Sequence, residues 1–185
     1  MVIIHDIYAF LNEIAPVRYQ MDFDNAGFLV GDGGAAVKNA LLALDITDAV
    51  IAEAIELRAQ LIVSHHPLIF TPLRHATTDD LAGRKVLTMA RHGISAICMH
   101  TNLDAADGGV NDALAEKLGL LQTEYLTDEK IGRVGTLKCQ IPLVEFTRFV
   151  VKSLGCNGLR YTDCGRPVHR VAVGGGACGE YIAQA

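Results

Sequence analysis

Tryptophan, long apolar runs and basic clusters are all missing from this sequence. Aromatic residues make up only 6% of the chain, and none of them is tryptophan. No uninterrupted apolar run approaches the roughly 18 residues that a membrane-spanning helix needs, so we expect no membrane span. The first ten residues, MVIIHDIYAF, lack the basic segment, apolar stretch and cleavage site of a secretory signal.

Positive charge is also scarce. The formal net charge is −5, and lysine and arginine nowhere form a long run. A protein that grips nucleic acid through its phosphates normally presents a basic surface. Nucleic acid is therefore not an expected partner, although the composition still permits a local basic patch.

Cysteine pairs with the spacing of a disulfide framework or a zinc site are absent as well. The count is odd and no two cysteines form a CxxC pair; the five are Cys98, Cys139, Cys156, Cys164 and Cys178. Free thiols in a reducing compartment are the simplest interpretation. Together with the missing signal segment, this predicts a cytoplasmic protein.

Apolar residues, by contrast, make up half of the chain and alternate between two patterns. Continuous apolar runs at 40–45, 61–64 and 94–99 predict buried strands. Helical spacing covers residues 47–60, 80–92 and 109–119, with Thr47 or Asp48 as the first N-cap and Gly93 as a C-terminal stop. This alternation predicts an α/β fold with a largely parallel sheet that helices cover on both faces.

A second α/β block begins near Lys130. Its predicted elements are a strand in GRVGTLK, a helix over 142–155, and strands over 159–163 and 169–174. Pro142 suits the first turn of that helix and Gly155 suits its end. The loop over 121–130 is the best boundary, so the predicted domains are residues 1–125 and residues 126–185.

Polar side chains follow the three central strands of the first block. The first strand runs into Asp45, the second into His65 and His66, and the third into His100, Asn102 and Asp104. Ligand sites of open parallel sheets form at the carboxyl ends of the strands. Three strand ends that all carry metal-competent side chains predict a metal site there, with Asp104 as its oxygen ligand.

The adjacent histidines in SHHPLIF (64–70) bear on the number of ions. Neighbouring residues of an extended chain point to opposite sides, so His65 and His66 should each bind a different ion rather than share one. Pro67 restricts His66 to an extended conformation and stiffens the turn. Imidazole and carboxylate ligands suit Zn, Fe, Mn, Ni or Co. The alternative is that both histidines are satisfied loop or core residues.

Three other features leave two interpretations open. Asp45 either lies beside the metal site or caps the helix that follows it. The glycines of VGGGACGEY (173–181) suit an anion at a helix start, but this stretch lacks GxGxxG and the Walker lysine, which favours a structural turn. The acidic connection DFDNAGFLVGD (22–32) is either a substrate-contacting loop or a turn stabilised by Asx side chains.

These stretches, in order and spacing, resemble one family along essentially the whole chain: DNAGFLVGD, ALDIT, LIVSHHPLIF, HTNLDAADGGVNDALAEKLGL, IGRVGTL and VAVGGGACG. The family is that of the GTP cyclohydrolase 1 type 2 homologs, also called Nif-three-like proteins. The resemblance implies an α/β fold of two halves and a site for two divalent metal ions. It implies His65, His66 and Asp104 as metal ligands, and His100 as a residue beside them that is the best candidate for acid–base catalysis.

The same resemblance implies a function and an assembly. A metal-dependent hydrolase that acts on a nucleotide or a related heterocycle is the first expectation, and a non-enzymatic metal carrier, regulator or scaffold is the alternative. Family members form ring-shaped oligomers, which implies a homo-oligomer such as a hexamer. Members of the family usually continue through a further segment whose histidine and glutamate complete the metal site. We therefore expect this chain to be C-terminally truncated, with its second half incomplete.

Overall fold

The computed structural model describes residues 1–185, which form two compact units, Met1–Leu103 and Asp104–Ala185. The predicted boundary after residue 125 thus lies inside the second unit. The predicted fold class is confirmed, because each unit combines a β-sheet with helices. None of the helices has both the length and the apolar character that crossing a membrane requires.

A four-stranded mixed sheet forms the centre of the first unit. Its strands are β1 (Gly27–Val30), β2 (Ala40–Ala43), β3 (Leu61–Ser64) and β4 (Ser95–Cys98), in the spatial order β1-β4-β3-β2. Strands β2, β3 and β4 are parallel, and β1 joins β4 in antiparallel orientation. The predicted parallel core is therefore present, and one antiparallel strand closes one edge.

Helices α1 (Ile4–Ile14), α2 (Asp48–Glu56) and α3 (Leu81–Arg91) belong to this unit. Thr47 caps α2 by accepting a hydrogen bond from Val50 N, and Asp80 caps α3 by accepting one from Gly83 N at 2.6 Å. Helix and strand residues share one apolar core, whose fully or almost fully buried members include Ile51, Ala54, Ile62, Met89, Ile94 and Ala96.

The prediction that residues 40–45 form a buried strand was wrong for one face of that strand. Leu42 is 76% exposed and Leu44 is 61% exposed. Leu41 and Ala43 pack against the apolar core, whereas Leu42 lies on the opposite face of β2, which is exposed. An apolar run indicates a strand, but it does not indicate whether another layer covers both faces.

A three-stranded antiparallel sheet forms the centre of the second unit. Strands β5 (Leu121–Tyr125), β6 (Arg133–Ile141) and β7 (Val168–Val173) lie in that order. The short helix α4 (Thr101–Ala105) leads into this unit, which also contains α5 (Val110–Lys117) and α6 (Leu143–Leu154). Its core contains Ala115, Leu118, Leu120, Leu137, Val171 and Val173.

Two predictions for the second unit need correction. Residues 159–163 form no strand; they are exposed and have no sheet partner. The segment 121–130, predicted as a loop, contains β5, which pairs with β6. The helix ends were predicted well, since α6 begins directly after Pro142 and its C-cap Gly155 is left-handed with φ 63°.

Candidate metal centre

The register of the parallel strands brings the polar strand ends to one edge of the sheet. Ala43 is level with Ser64, and Ser64 is level with Cys98. The residues two positions beyond these three are Asp45, His66 and His100. The sheet thus delivers one ionisable side chain from each strand to the same level, and His65 adds a fourth from the middle strand.

Three imidazoles come together at this edge. The candidate ligand atoms of His65, His66 and His100 all lie within 4.8 Å of one another. The ring centroids are 5.1 Å apart for His65 and His66, 5.2 Å for His65 and His100, and 5.6 Å for His66 and His100. The ring of His100, which was predicted as a catalytic residue, is therefore only 0.1–0.5 Å farther from the rings of His65 and His66 than those two rings are from each other.

Each imidazole is held through its Nδ1 atom. His65 Nδ1 lies 2.9 Å from the carbonyl oxygen of Met99, His66 Nδ1 lies 2.7 Å from Asp45 Oδ1, and His100 Nδ1 lies 2.7 Å from Asp24 Oδ1. Carbonyl and carboxylate oxygens only accept hydrogen bonds, so Nδ1 must carry the proton. In the neutral ring this places the lone pair on Nε2, the tautomer that a metal-ligating histidine needs.

Asp24 is the residue of this site that the sequence did not single out. Its side chain has no exposed surface. Its carboxylate accepts hydrogen bonds from His100 Nδ1, from the backbone N–H of Asn25 and Thr101, and from Thr101 Oγ1. Burial alone would raise the pKa of Asp24, but the hydrogen bonds from Thr101, His100 and the backbone together lower it. Asp24 is therefore a buried anion that fixes the orientation of His100.

The contacts of Asp24 also bear on the two interpretations of the acidic connection at 22–32. The Asn25 N–H donates to Asp24 Oδ1 at 2.7 Å, which is the Asx-type contact considered for this turn. The contact to His100 spans 76 positions of the chain. The only signal in the sequence was an acidic connection of unusual composition, which marked the segment but not the residue.

Asp45 contacts the site rather than the helix. The cap of α2 is Thr47, and the Asp45 carboxylate contacts His66 Nδ1. This pair is far more open than the pair of Asp24 and His100, since the His66 side chain is 46% exposed and that of Asp45 is 54% exposed. The metal-site alternative for Asp45 is the one that the geometry supports.

The histidine pair does not follow the alternation of an extended strand. Strand β3 ends at Ser64, and the next two residues form a bend in which Ser64 Oγ donates to the carbonyl of His66 at 2.8 Å. Both rings therefore lie near His100 rather than on opposite sides of the chain. The premise that the two rings point to opposite sides of an extended chain is thus wrong. Whether they bind one ion or two stays a prediction.

Two further polar residues followed the third strand in the sequence. Asn102 has no exposed surface and donates to the carbonyl of Ala15 at 2.7 Å, so it is a structural residue of the first unit. Asp104 is the first residue of the second unit, where its backbone carbonyl accepts a hydrogen bond from Asn111 Nδ2 at 2.9 Å. Its role as a metal ligand stays a prediction.

The glycines after β7 form a structural turn. Gly175 N donates to Asn111 Oδ1 at 2.8 Å, and Cys178 Sγ donates to the Gly175 carbonyl at 3.0 Å. A Cβ atom on Gly175 would lie 3.3 Å from Val110 Cγ1, so the close approach favours glycine. These contacts account for the glycines without an anion, and the only helical element that follows is the short 3₁₀ helix Cys178–Tyr181.

The cysteines are all free thiols. Cys98 has no exposed surface, and its Sγ donates to the carbonyl of His65 at 2.9 Å. Burial, and then the charge of Asp24, raise the pKa of the Cys98 thiol to about 12. This thiol is therefore neutral and supports the backbone of the site.

Comparison with known proteins identifies the family. The model of Duf34/NIF3 (NGG1p interacting factor 3) matches residues 2–185. A GTP cyclohydrolase 1 type 2 homolog from Clostridium perfringens is 36% identical over 98% of this chain and 72% of its own length. A homolog from Bacillus subtilis is 39% identical over 85% of this chain, but only 43% of its own length is covered.

Solved structures agree with this assignment. The crystal structure of a Bacillus cereus protein related to NIF3 matches with a TM-score of 0.91 and 25% identity, over 100% of this chain and 79% of that one. This chain belongs to the Duf34/NIF3 family.

Proposed function

We propose that the histidine cluster holds divalent metal and that the protein is a metal-dependent hydrolase. The observation that carries the proposal is the common orientation of the three imidazoles. In His65, His66 and His100 alike, an oxygen acceptor holds Nδ1 and leaves Nε2 as the basic nitrogen. A histidine that serves only packing can also be hydrogen-bonded at Nδ1, but packing does not require the candidate ligand atoms of three histidines to converge within 4.8 Å.

The donor set fits the ions that the sequence predicted. Neutral imidazole nitrogens suit Zn, Fe, Mn, Ni and Co, whereas Mg and Ca prefer a site made of oxygen ligands. His65 and His66 are the first ligands in this proposal, and the position of His100 makes it a candidate for a third. Asp104 remains the predicted carboxylate ligand. The binding of two ions rests on the family resemblance.

Divalent metal in such a site polarises the bond under attack and lowers the pKa of a bound water. The residues of this chain supply binding, orientation and access. Asp24 and Asp45 hold the rings of His100 and His66, and the 46% exposure of His66 leaves one side of the cluster open to solvent. His100 either binds metal or transfers a proton, and these two roles predict different results for one substitution.

The names of the relatives support the proposed substrate class. Both relatives described above carry the name GTP cyclohydrolase 1 type 2 homolog, which points to a nucleotide or a related heterocycle. A non-enzymatic carrier or scaffold is the second candidate, and the exposure of His66 and Asp45 favours it, because an ion at an open site is released easily. Self-association into a ring would suit either function and stays a prediction.

Metal content and hydrolysis test the two candidates together. Zn²⁺, Mn²⁺ and Ni²⁺ are titrated calorimetrically into the protein and into His65→Gln, His66→Gln and His100→Gln. His92→Gln, which changes an exposed histidine after α3, is the matched control. The His65 and His66 variants should lose most of their metal affinity, and the control should not. Unchanged affinity in both variants would refute the metal site.

Hydrolysis then separates the roles. The metal-loaded protein is screened against nucleoside triphosphates and related heterocycles. If His100 is a ligand, His100→Gln loses metal; if it transfers a proton, the variant keeps its metal and loses turnover. A loaded protein that turns over none of these compounds and exchanges its ion rapidly would favour the carrier.

A further inference from the structure

The connection between β3 and α3 is unusually long. Residues 65–80 contain no helix or strand, and the connection starts with the histidine pair. Connections longer than about 12–15 residues without regular structure are uncommon in compact domains and usually have a function. The first residues of this connection belong to the metal centre, but the remainder, from Pro67 to Asp80, has no role in it.

Two phenyl rings lie exposed beside the histidines. Phe70, in this connection, is 49% exposed, and Phe23, in the turn that carries Asp24, is 61% exposed. Their ring centroids are 6.5 Å apart, and the Phe70 ring lies edge-on to His100 with centroids 6.3 Å apart. Single exposed apolar residues are ordinary, but adjacent exposed aromatic rings beside a candidate catalytic group mark a surface for binding.

The two segments that carry these rings are joined by a hydrogen bond. Asn25 Nδ2 donates to the carbonyl of Ile69 at 2.6 Å. This bond joins the residue before Phe70 to the turn that contains Phe23. The two backbone segments that carry the rings are therefore held together before a ligand arrives, which lowers the entropy that binding must offset.

A cleft adjoins the Phe70 ring. It has a volume of about 860 Å³, and Phe70, Arg74 and His75 are among the residues that line it. This volume is in the range of small-molecule sites. The guanidinium of Arg74 is the permanent cation of the cleft, and guanidinium groups bind phosphate and carboxylate oxygens in bidentate geometry.

We propose that Phe23 and Phe70 form an aromatic platform for the planar ring of a nucleotide, and that Arg74 binds its phosphate. Because the two phenyl planes are 55° apart, the ligand ring stacks on one of them and contacts the other with its edge. The platform places the ring of the ligand directly beside His100. This inference deepens the proposed function by assigning its ring-binding residues. It rests on the proposed metal centre only for the reaction that follows binding.

Equilibrium dialysis with adenosine and guanosine monophosphates tests the platform. Adenosine, which lacks phosphate, and ribose 5-phosphate, which lacks the ring, are the comparison probes. The variants are Phe23→Leu, Phe70→Leu and Arg74→Gln, and the matched control is Phe10→Leu, because Phe10 on α1 is 60% exposed. All measurements are made once with Zn²⁺ and once with a chelator, so that ring binding is scored separately from metal binding.

The nucleotides should bind more tightly than ribose 5-phosphate, and each platform variant should weaken them. Loss of one stacked base costs at least about fivefold in affinity. Arg74→Gln should weaken the nucleotides but not adenosine, and Phe10→Leu should weaken neither. The weakening by the phenylalanine variants should persist with chelator even if the metal proposal fails.

Several results would overturn the platform. These are equal binding of nucleotide and ribose 5-phosphate, no measurable binding of either nucleotide, or unchanged affinity in both phenylalanine variants. A loss of metal binding in Phe70→Leu without any effect on the nucleotide would also overturn it, because Phe70 would then support His100 and not the ligand.

Discussion

Asparagine at position 24 should destabilise the protein much more than asparagine at position 45, although the two aspartates make the same contact. Each carboxylate lies 2.7 Å from the Nδ1 atom of a histidine in the cluster. The difference is burial, since the Asp24 side chain has no exposed surface and that of Asp45 is 54% exposed. Both variants remove the partner of a histidine Nδ1 atom, but only Asp24→Asn also removes a buried anion. Comparing them therefore separates these two contributions to the free energy of unfolding.

The magnitude for Asp24→Asn follows from its donors. Asp24 Oδ2 accepts from the backbone N–H and the hydroxyl of Thr101, and Oδ1 accepts from Asn25 N and His100 Nδ1. An amide can keep one oxygen as an acceptor, but its NH₂ group then faces the N–H of Thr101, which cannot reverse its role. Loss of buried hydrogen bonds to a charged group should lower the free energy of unfolding by about 2–4 kcal/mol. Asp45→Asn breaks an exposed pair and should cost less than about 1 kcal/mol.

Urea unfolding in the presence of a chelator measures this difference without metal. Zn²⁺ affinity, measured by competition with a chromophoric chelator, then gives the effect on the site. Loss of the partner that orients a metal-ligating histidine typically weakens affinity by about 10–100-fold, and we expect Asp24→Asn to lie in that range and Asp45→Asn at or below its lower end. Equal stability losses in the two variants, or unchanged affinity in Asp24→Asn, would refute this reasoning.

Three further variants test the scaffold. Asp112→Asn removes the carboxylate that accepts from Arg133, whose side chain is 3% exposed, and should cost about 2–4 kcal/mol in urea unfolding. The hydrogen bond from Arg133 lowers the pKa of Asp112. The stabilisation by this pair is therefore complete above the ordinary pKa of about 3.9 and is lost as pH falls through the lowered value. If wild type and variant differed in free energy of unfolding by the same amount at every pH, this reasoning would be contradicted. Gly31→Ala should lower the free energy of unfolding by at least about 2 kcal/mol, because φ is 114° and the new Cβ would lie 2.7 Å from Ser95 Cα. A variant with the same melting temperature as the wild type would contradict this. Thr47→Ala should cost about 1 kcal/mol as the lost cap of α2, and no change in thermal unfolding would count against that cap.

Local signals in the sequence predicted the elements but not how they are covered. The cap Thr47 and the C-terminal Gly155 act within a few residues of themselves, so they could be predicted directly from the sequence. The exposure of Leu42 depends on which face of β2 the core covers, and the pairing of β5 with β6 depends on an antiparallel partner that follows it. Neither fact is contained in an apolar pattern.

The residues of the candidate site likewise include some that the sequence predicted and some that it did not. The strand-end rule predicted that the histidines would meet, because parallel strands in register carry their next residues to one level. Asp24 was missed because its contact to His100 crosses 76 positions and comes from a turn with no strand pattern of its own. Asp45 could not be assigned from sequence, since a capping aspartate and an orienting aspartate occupy the same place before a helix.

The difference in burial between the carboxylates of Asp24 and Asp45 gives the cluster a closed side and an open side. His100 is 18% exposed, is fixed by a buried anion and is flanked by Phe70, whereas His66 is 46% exposed and is fixed by an anion in contact with solvent. The field of Asp24 is poorly screened by water, so it holds the His100 ring tightly at any ionic strength, while the contact of Asp45 weakens as salt is added. The side of the cluster at His66 is therefore open to solvent, whereas His100 is the imidazole whose orientation depends on buried contacts.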